Sequence, residues 1–171
     1  SMDFTPVTFR FVNDVMPQTR VHTTLAKQLA LFVVLYSPLQ MASDEIENYE
    51  ANPEPFNFIV SCPTDWSRTV VPEACIGSYV TIARCDKGEG YWYIGSITGD
   101  EERTANISLS FLDTDKRYLA TIYRDAPEAD YETCPAAILI EEREVTYSDT
   151  LTIRQARSGG TAVRLCPIKD S

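Results

Sequence analysis

The sequence predicts a mainly β protein: an antiparallel β-sandwich preceded by one long α-helix of the kind that is buried on several sides. Three observations carry this expectation. Residues 49–171 contain short runs in which apolar and polar positions alternate. Turn segments rich in Gly and Asp separate these runs at a spacing of about 10 to 15 residues, as in an all-β domain. Ahead of them lies a stretch free of Gly and Pro that is apolar on every helical face. The length of 171 residues corresponds to about one domain with a short appendage.

The helix comes first in the chain. Thr23 or Thr24 offers an N-cap hydroxyl to the run Leu25 to Tyr36. Leu25, Leu29, Phe32, Val33 and Tyr36 share one face, while Leu31, Val34 and Leu35 fill the others, so the helix needs protein on more than one side. Pro38 ends or kinks it, and Leu39 to Ala42 can add a further turn before the acidic Ser43-Asp44-Glu45. Asn48 to Pro55 reads as a linker, which divides the chain into residues 1–48 and 49–171. Strands are expected over 79–84, 91–97, 105–111, 118–124, 138–141, 144–147, 151–155 and 161–165. Asp86-Lys87-Gly88-Glu89-Gly90, Thr98-Gly99-Asp100, Asp113-Thr114-Asp115 and Ser158-Gly159-Gly160 supply the turns.

Composition removes several classes of function. Fifteen Lys and Arg against 25 Asp and Glu give a net charge of -10, which repels a phosphate backbone, so no nucleic-acid partner is expected. The 11% aromatic content argues against disorder. The longest apolar run, Leu29 to Tyr36, falls far short of the roughly 20 residues that span a membrane. A single histidine, His22, excludes a multi-His metal site within the chain. The five cysteines contain no C-x-x-C and read mainly as small buried apolar residues. The first ten residues carry no basic segment followed by an apolar core, so no signal peptide is expected.

Candidate chemistry is sparse. Gly88-Glu89-Gly90 has no helix after it and is read as a turn rather than a phosphate loop. No G-x-S-x-G elbow exists, and a triad would have to use His22 beside the buried helix. Paired carboxylates run glycoside hydrolysis, and the candidates are Asp3, Asp100, Glu101, Glu102, Asp113, Asp115, Asp125, Glu128, Asp130, Glu141, Glu142 and Glu144. They fall in turns or on polar strand faces, and nothing selects a pair, so no catalytic or metal-binding residue is assigned. Trp66, Tyr91, Trp92 and Tyr93 could stack on a sugar; alternation sends Trp92 and Ile94 to the core and leaves Trp66, Tyr91 and Tyr93 as the stacking candidates. A carbohydrate-binding module using those rings is the alternative reading.

Several phrases taken in order resemble the C-terminal region of glycoside hydrolase family 97, the calcium-dependent α-glucosidases and α-galactosidases. They are Met2 to Phe9 (with Phe4 where the family commonly has Tyr), His22 to Leu31, Tyr36-Ser37-Pro38-Leu39-Gln40-Met41, Asp65-Trp66, Gly77 to Arg84, Trp92 to Thr98 and Ala120 to Asp125. The resemblance covers nearly the whole chain, and the Tyr-Ser-Pro-Leu-Gln-Met phrase is specific. It implies an N-terminal β-domain, a central (β/α)8 barrel and a C-terminal β-domain in the parent enzyme, with the catalytic and calcium-binding glutamates ahead of the matched segment. No position here matches those glutamates, so the chain alone is expected to be inactive and to hold no calcium. Residues 1–48 would be the remnant of the barrel's end and residues 49–171 the C-terminal sandwich, serving structure or oligomerisation. The implied partners are the catalytic barrel or a second copy packed on the Leu25 to Met41 helix, with carbohydrate as a further ligand. The parent family implies a periplasmic or cell-surface location.

Overall fold

The computed structural model describes residue 5 and residues 7–169. Three helices lead, α1 (Leu25–Val34), α2 (Ile46–Glu50) and α3 (Pro53–Ser61). Eight strands follow: β1 (Arg68–Cys75), β2 (Tyr79–Cys85), β3 (Trp92–Thr98), β4 (Arg103–Ser108), β5 (Arg117–Asp125), β6 (Ile138–Thr146), β7 (Thr150–Gln155) and β8 (Gly160–Pro167). All their pairings are antiparallel, in a six-stranded sheet ordered β1-β2-β3-β8-β5-β6 and a two-stranded sheet of β4 and β7. The expected antiparallel sandwich is therefore present, and the helices add a third layer.

Alternation along the strands builds two cores on opposite faces of the large sheet. Trp92 and Ile94 of β3, Ala120 and Ile122 of β5, and Val163 and Leu165 of β8 face Ala105, Ile107, Leu151 and Ile153 of the small sheet. On the other face Tyr93, Tyr123 and Ala162 meet Leu29, Phe32, Val33 and Phe58 from the helices. The helix that is apolar all round thus finds its cover within the chain: Leu29, Ala30 and Val33 are fully buried.

Close approach is what makes that cover possible. A Cβ placed on Gly95 of β3 would lie 2.4 Å from the Ala30 carbonyl oxygen and 2.9 Å from the Val33 Cβ. A Cβ on Gly160 of β8 would lie 2.9 Å from the Lys27 Cα. Gly95 pairs with Ala162 across β3 and β8, so small residues on two neighbouring strands form the seat on which α1 rests.

Four details differ from the sequence expectation. A helix over residues 53–61 begins inside the expected 48–55 linker, because Pro53 occupies the first helical turn, which tolerates a missing N–H, and Phe58 gains complete burial. Leu39 to Ala42 do not extend α1. The chain turns at Ser37, whose hydroxyl bonds the Leu39 carbonyl, and the Gln40 amide folds back to donate to the Phe32 and Leu35 carbonyls. β1 escapes a period-two search because it carries Pro72 and a register shift between Val70 and Glu73. Finally, residues 138–146 form one strand rather than two, with the charged Glu141-Glu142-Arg143-Glu144 lying along the edge of the sheet.

The tight seat gives a direct expectation. Gly95→Ala should destabilise the chain by about 1–3 kcal/mol through overpacking against α1. A denaturant titration would show it as a lower midpoint at unchanged slope.

Candidate functional site

The three stacking candidates do not form an exposed platform. Tyr93 is buried, donates its hydroxyl to the Ser61 carbonyl at 2.6 Å, and meets Phe58 and Trp66 edge-on. Its place in β3 explains this: Trp92 and Tyr93 face opposite sides of the large sheet, and both sides are covered. Trp66 is half-buried, with its ring 5.6 Å from that of Tyr93 and tilted 65° to it. Tyr91 is also half-buried and lies under the Arg164 guanidinium, 5.2 Å from the ring centre. Tyr93 is thereby corrected from a stacking residue to a core residue, because alternation alone does not reveal that the second face carries helices.

The concentrated polar chemistry lies instead at the two ends of α1. At the N-terminus the Thr24 hydroxyl accepts from the Lys27 backbone N–H at 3.3 Å and donates to the buried Asp125 carboxylate. Asp125 Oδ2 also accepts from the backbone N–H groups of Ala156 at 2.8 Å and Gly160 at 3.0 Å. Burial pushes the Asp125 carboxyl above its usual value, although these hydrogen bonds and the Arg154 charge oppose the shift. Lys27 donates to the Thr98 carbonyl at 2.7 Å and to Ser158 Oγ at 3.2 Å, and burial draws its ammonium below the usual lysine value against the pull of Asp100 and Asp125. His22 is exposed and joins the knot through its carbonyl, which accepts from Ser158 Oγ at 2.6 Å.

At the C-terminus α1 has no basic residue in its own last turn. Arg84 of β2 supplies one: its Nε donates to the Val33 carbonyl at 2.7 Å and its Nη2 to the Val34 carbonyl at 3.4 Å. Nη1 donates to Thr69 Oγ1 at 2.9 Å, and the guanidinium lies 5.6 Å from the Tyr36 ring centre. A cation on the last carbonyls of a helix is favoured by the helix dipole. Arg84 therefore positions the helix.

The remaining carboxylates are mostly engaged at the surface. Glu102, Asp113, Asp130, Glu141 and Glu144 pair with Arg154, Lys116, Arg157, Arg124 and Arg117 respectively. Asp3 lies outside the described residues. Calcium takes roughly six to eight oxygen ligands, and no group of three or more His, Cys, Asp or Glu converges among the described residues. Sequence reasoning missed Asp125 and Arg84 as organising groups. Their signal was a charged residue on each of two strand faces that also carry core positions.

With this geometry in place, similarity to known proteins becomes informative. Residues 65–166 match the family described as glycosyl-hydrolase 97 C-terminal, oligomerisation. The chain belongs to this family. A retaining α-galactosidase from Bacteroides thetaiotaomicron is 35% identical over 147 residues, which cover 83% of this chain and 21% of that enzyme. A glycoside hydrolase family 97 enzyme from Pseudoalteromonas sp. strain K8, solved with acarbose, superposes with a TM-score of 0.85 at 45% identity, covering 88% of this chain and 23% of that one. A β-arabinopyranosidase structure shares the fold at a TM-score of 0.70 and 22% identity, over 85% of this chain and 22% of that one. The family 97 chain thus spans between a fifth and a quarter of the length of these relatives. Its matched region starts just before β1, and α1 to α3 precede it.

Two expectations follow for this family 97 domain. Because the folded pKa of Asp125 is raised above the ordinary 3.8, the native state holds that proton more tightly than the unfolded chain. Its contribution to stability therefore falls as pH rises from the ordinary value through the raised one. Unfolding measured across this window should show wild type losing stability relative to Asp125→Asn, while Asp125→Ala, which strands two buried N–H groups, should cost about 1–3 kcal/mol or more at every pH. Among the thiols, burial pushes Cys62 up to about 12, opposed by the Arg84 charge, whereas Cys75 is exposed. A disulfide reagent at neutral pH should modify Cys75 first and Cys62 far more slowly, since Cys62 is only part-exposed and its thiolate is disfavoured.

Proposed function

We propose that this chain is the non-catalytic C-terminal oligomerisation domain of a family 97 α-glycosidase that hydrolyses terminal α-linked sugars, with the helix layer docked on the catalytic (β/α)8 barrel. In this reading residues 1–48 belong to the end of the barrel and residues 49–171 form the C-terminal domain. The observation that carries it is a set of exposed large apolar side chains ahead of the family match. Tyr36, Leu39, Met41, Ile46 and Val60 are all at least 41% exposed, and Ile46 and Val60 reach 69%. All five precede residue 65, where the family match begins. Five such side chains within residues 36–60 favour a contact with another protein surface.

The chain's own sheet takes the inward face of α1, so Leu29, Phe32 and Val33 are not available to a second copy. What the Leu25 to Met41 segment still offers is its end, from Tyr36 onward. The barrel of the same enzyme is the partner this end suits, since the family 97 relatives are four to five times longer than the part matched here.

Neither α-glucoside nor α-galactoside hydrolysis is expected from the chain by itself. Release of p-nitrophenol from either substrate, abolished by a single carboxylate substitution in this chain, would refute the non-catalytic assignment.

A further inference from the structure

We propose that the self-association surface of this domain is the β1–β2 hairpin, and that its occupant is the same hairpin of a second copy related by a two-fold axis. The proposal rests on the oligomerisation reading above and says where on the domain that contact lies. The family described as oligomerisation matches residues 65–166 only. Within that range the large apolar side chains exposed to solvent are Val71, Ile76, Leu139 and Tyr147. They fall at opposite edges of the six-stranded sheet: Val71 and Ile76 on β1 and its turn, Leu139 and Tyr147 on β6 and just after it.

Charge separates the two edges. β6 carries Glu141, Glu142 and Glu144 along its exposed length with Arg143 as its one basic residue, in a chain whose net charge is -10. Two β6 edges brought together would place six carboxylates in one contact, which is costly even with Glu141 and Glu144 paired to Arg124 and Arg117. β1 holds one Arg and one Glu, and Glu73 is already satisfied by Arg103 at 2.8 Å and by the Thr81 hydroxyl at 3.0 Å. The β1 edge can therefore approach its own copy without repulsion.

Shape agrees with this choice. Ile76 stands fully exposed at the hairpin turn, held out by Gly77 in the left-handed region at φ +80°. Beside it runs a groove of about 410 Å³ lined by Ile76, Tyr79, Val80, Ile97 and Lys27, the last with its ammonium held by the Thr98 carbonyl. A protruding isoleucine next to an apolar groove on one surface is self-complementary, as a two-fold contact requires: each copy's Ile76 enters the other's groove. Pro72 and the register shift between Val70 and Glu73 break the outer row of backbone groups on β1. The contact is thus made by side chains and not by continuing the sheet.

The test is the mass of the purified chain by analytical ultracentrifugation from low micromolar to several hundred micromolar. Wild type should pass from monomer to dimer. Ile76→Asp should weaken dimerisation by about tenfold or more, Val71→Lys should weaken it less, and Leu139→Lys should leave it unchanged. Ile76 makes no buried contact in the monomer, so its variant should keep the wild-type circular dichroism and unfolding midpoint. A short bis-maleimide should link two copies through Cys75 in wild type and not in Ile76→Asp. A dimer insensitive to Ile76→Asp would overturn the hairpin surface while leaving the oligomerisation reading standing. Loss of the dimer in Leu139→Lys, or growth of the mass beyond two, would assign the contact to β6 or to a head-to-tail β1–β6 chain and overturn it equally. A strict monomer throughout would overturn both.

Discussion

A helix that is apolar on every face is stable only where its surroundings close around it, and for α1 that closure depends on backbone proximity. Gly95 and Gly160 let the helix axis come so near to β3 and β8 that even a methyl group at either position would meet helix atoms at 3 Å or less. From this one approach the layering follows. The six-stranded sheet must present small residues in its middle, its flanking tyrosines must turn toward the helices, and α3 must fill the space left beside α1 with Phe58. The sandwich core on the opposite face can then be built from ordinary branched side chains, because the sheet is already fixed from behind.

A tightly seated helix still has unpaired backbone groups at both ends, and here strands and loops from distant parts of the chain meet them. Asp125 lies a hundred residues beyond Thr24, yet its charge sits at the N-terminus of α1, where the helix dipole favours it. Arg84 does the converse at the C-terminus. Neither makes a direct ion pair, so hydrogen bonds and backbone dipoles carry most of the cost of burying each charge, with Arg154 and Lys27 adding a longer-range pull on Asp125. The consequence is specificity of placement: α1 can sit in one register and one direction along the sheet, since reversing it would bring a carboxylate to carbonyls and a guanidinium to N–H groups.

How far the sequence reveals this differs by element. The sandwich was legible because strands such as β4 and β7 alternate cleanly between core and solvent, and the start of α1 was legible because Thr23 or Thr24 precedes a largely apolar run free of Gly and Pro. β1 was not, because an edge strand with Pro72 and a bulge loses the periodicity by which strands are recognised. α3 was not, because two prolines read as a linker until burial of Phe58 and the T-shaped packing on Tyr123 supply what propensity lacks. The aromatic candidates were misjudged at Tyr93 for one reason: a strand in the middle layer of three has no solvent face, and alternation cannot distinguish a second core from water.

Polar contacts also hold the β1 edge in place. Glu73 reaches across to Arg103 of β4, whose guanidinium stacks on the Tyr79 ring at 3.6 Å, and to Thr81, whose hydroxyl meets Ser96 at 2.7 Å. Gln155 of β7 donates to the same Ser96 hydroxyl at 2.7 Å. A polar seam therefore runs from the edge strand through β2 and β3 into the small sheet, where apolar packing alone would leave the last strand free to slide. Buried hydrogen-bonded networks fix geometry more than they add stability. An edge so fixed loses little conformational freedom when another surface meets it, and that saving is what allows a small apolar contact to bind at all.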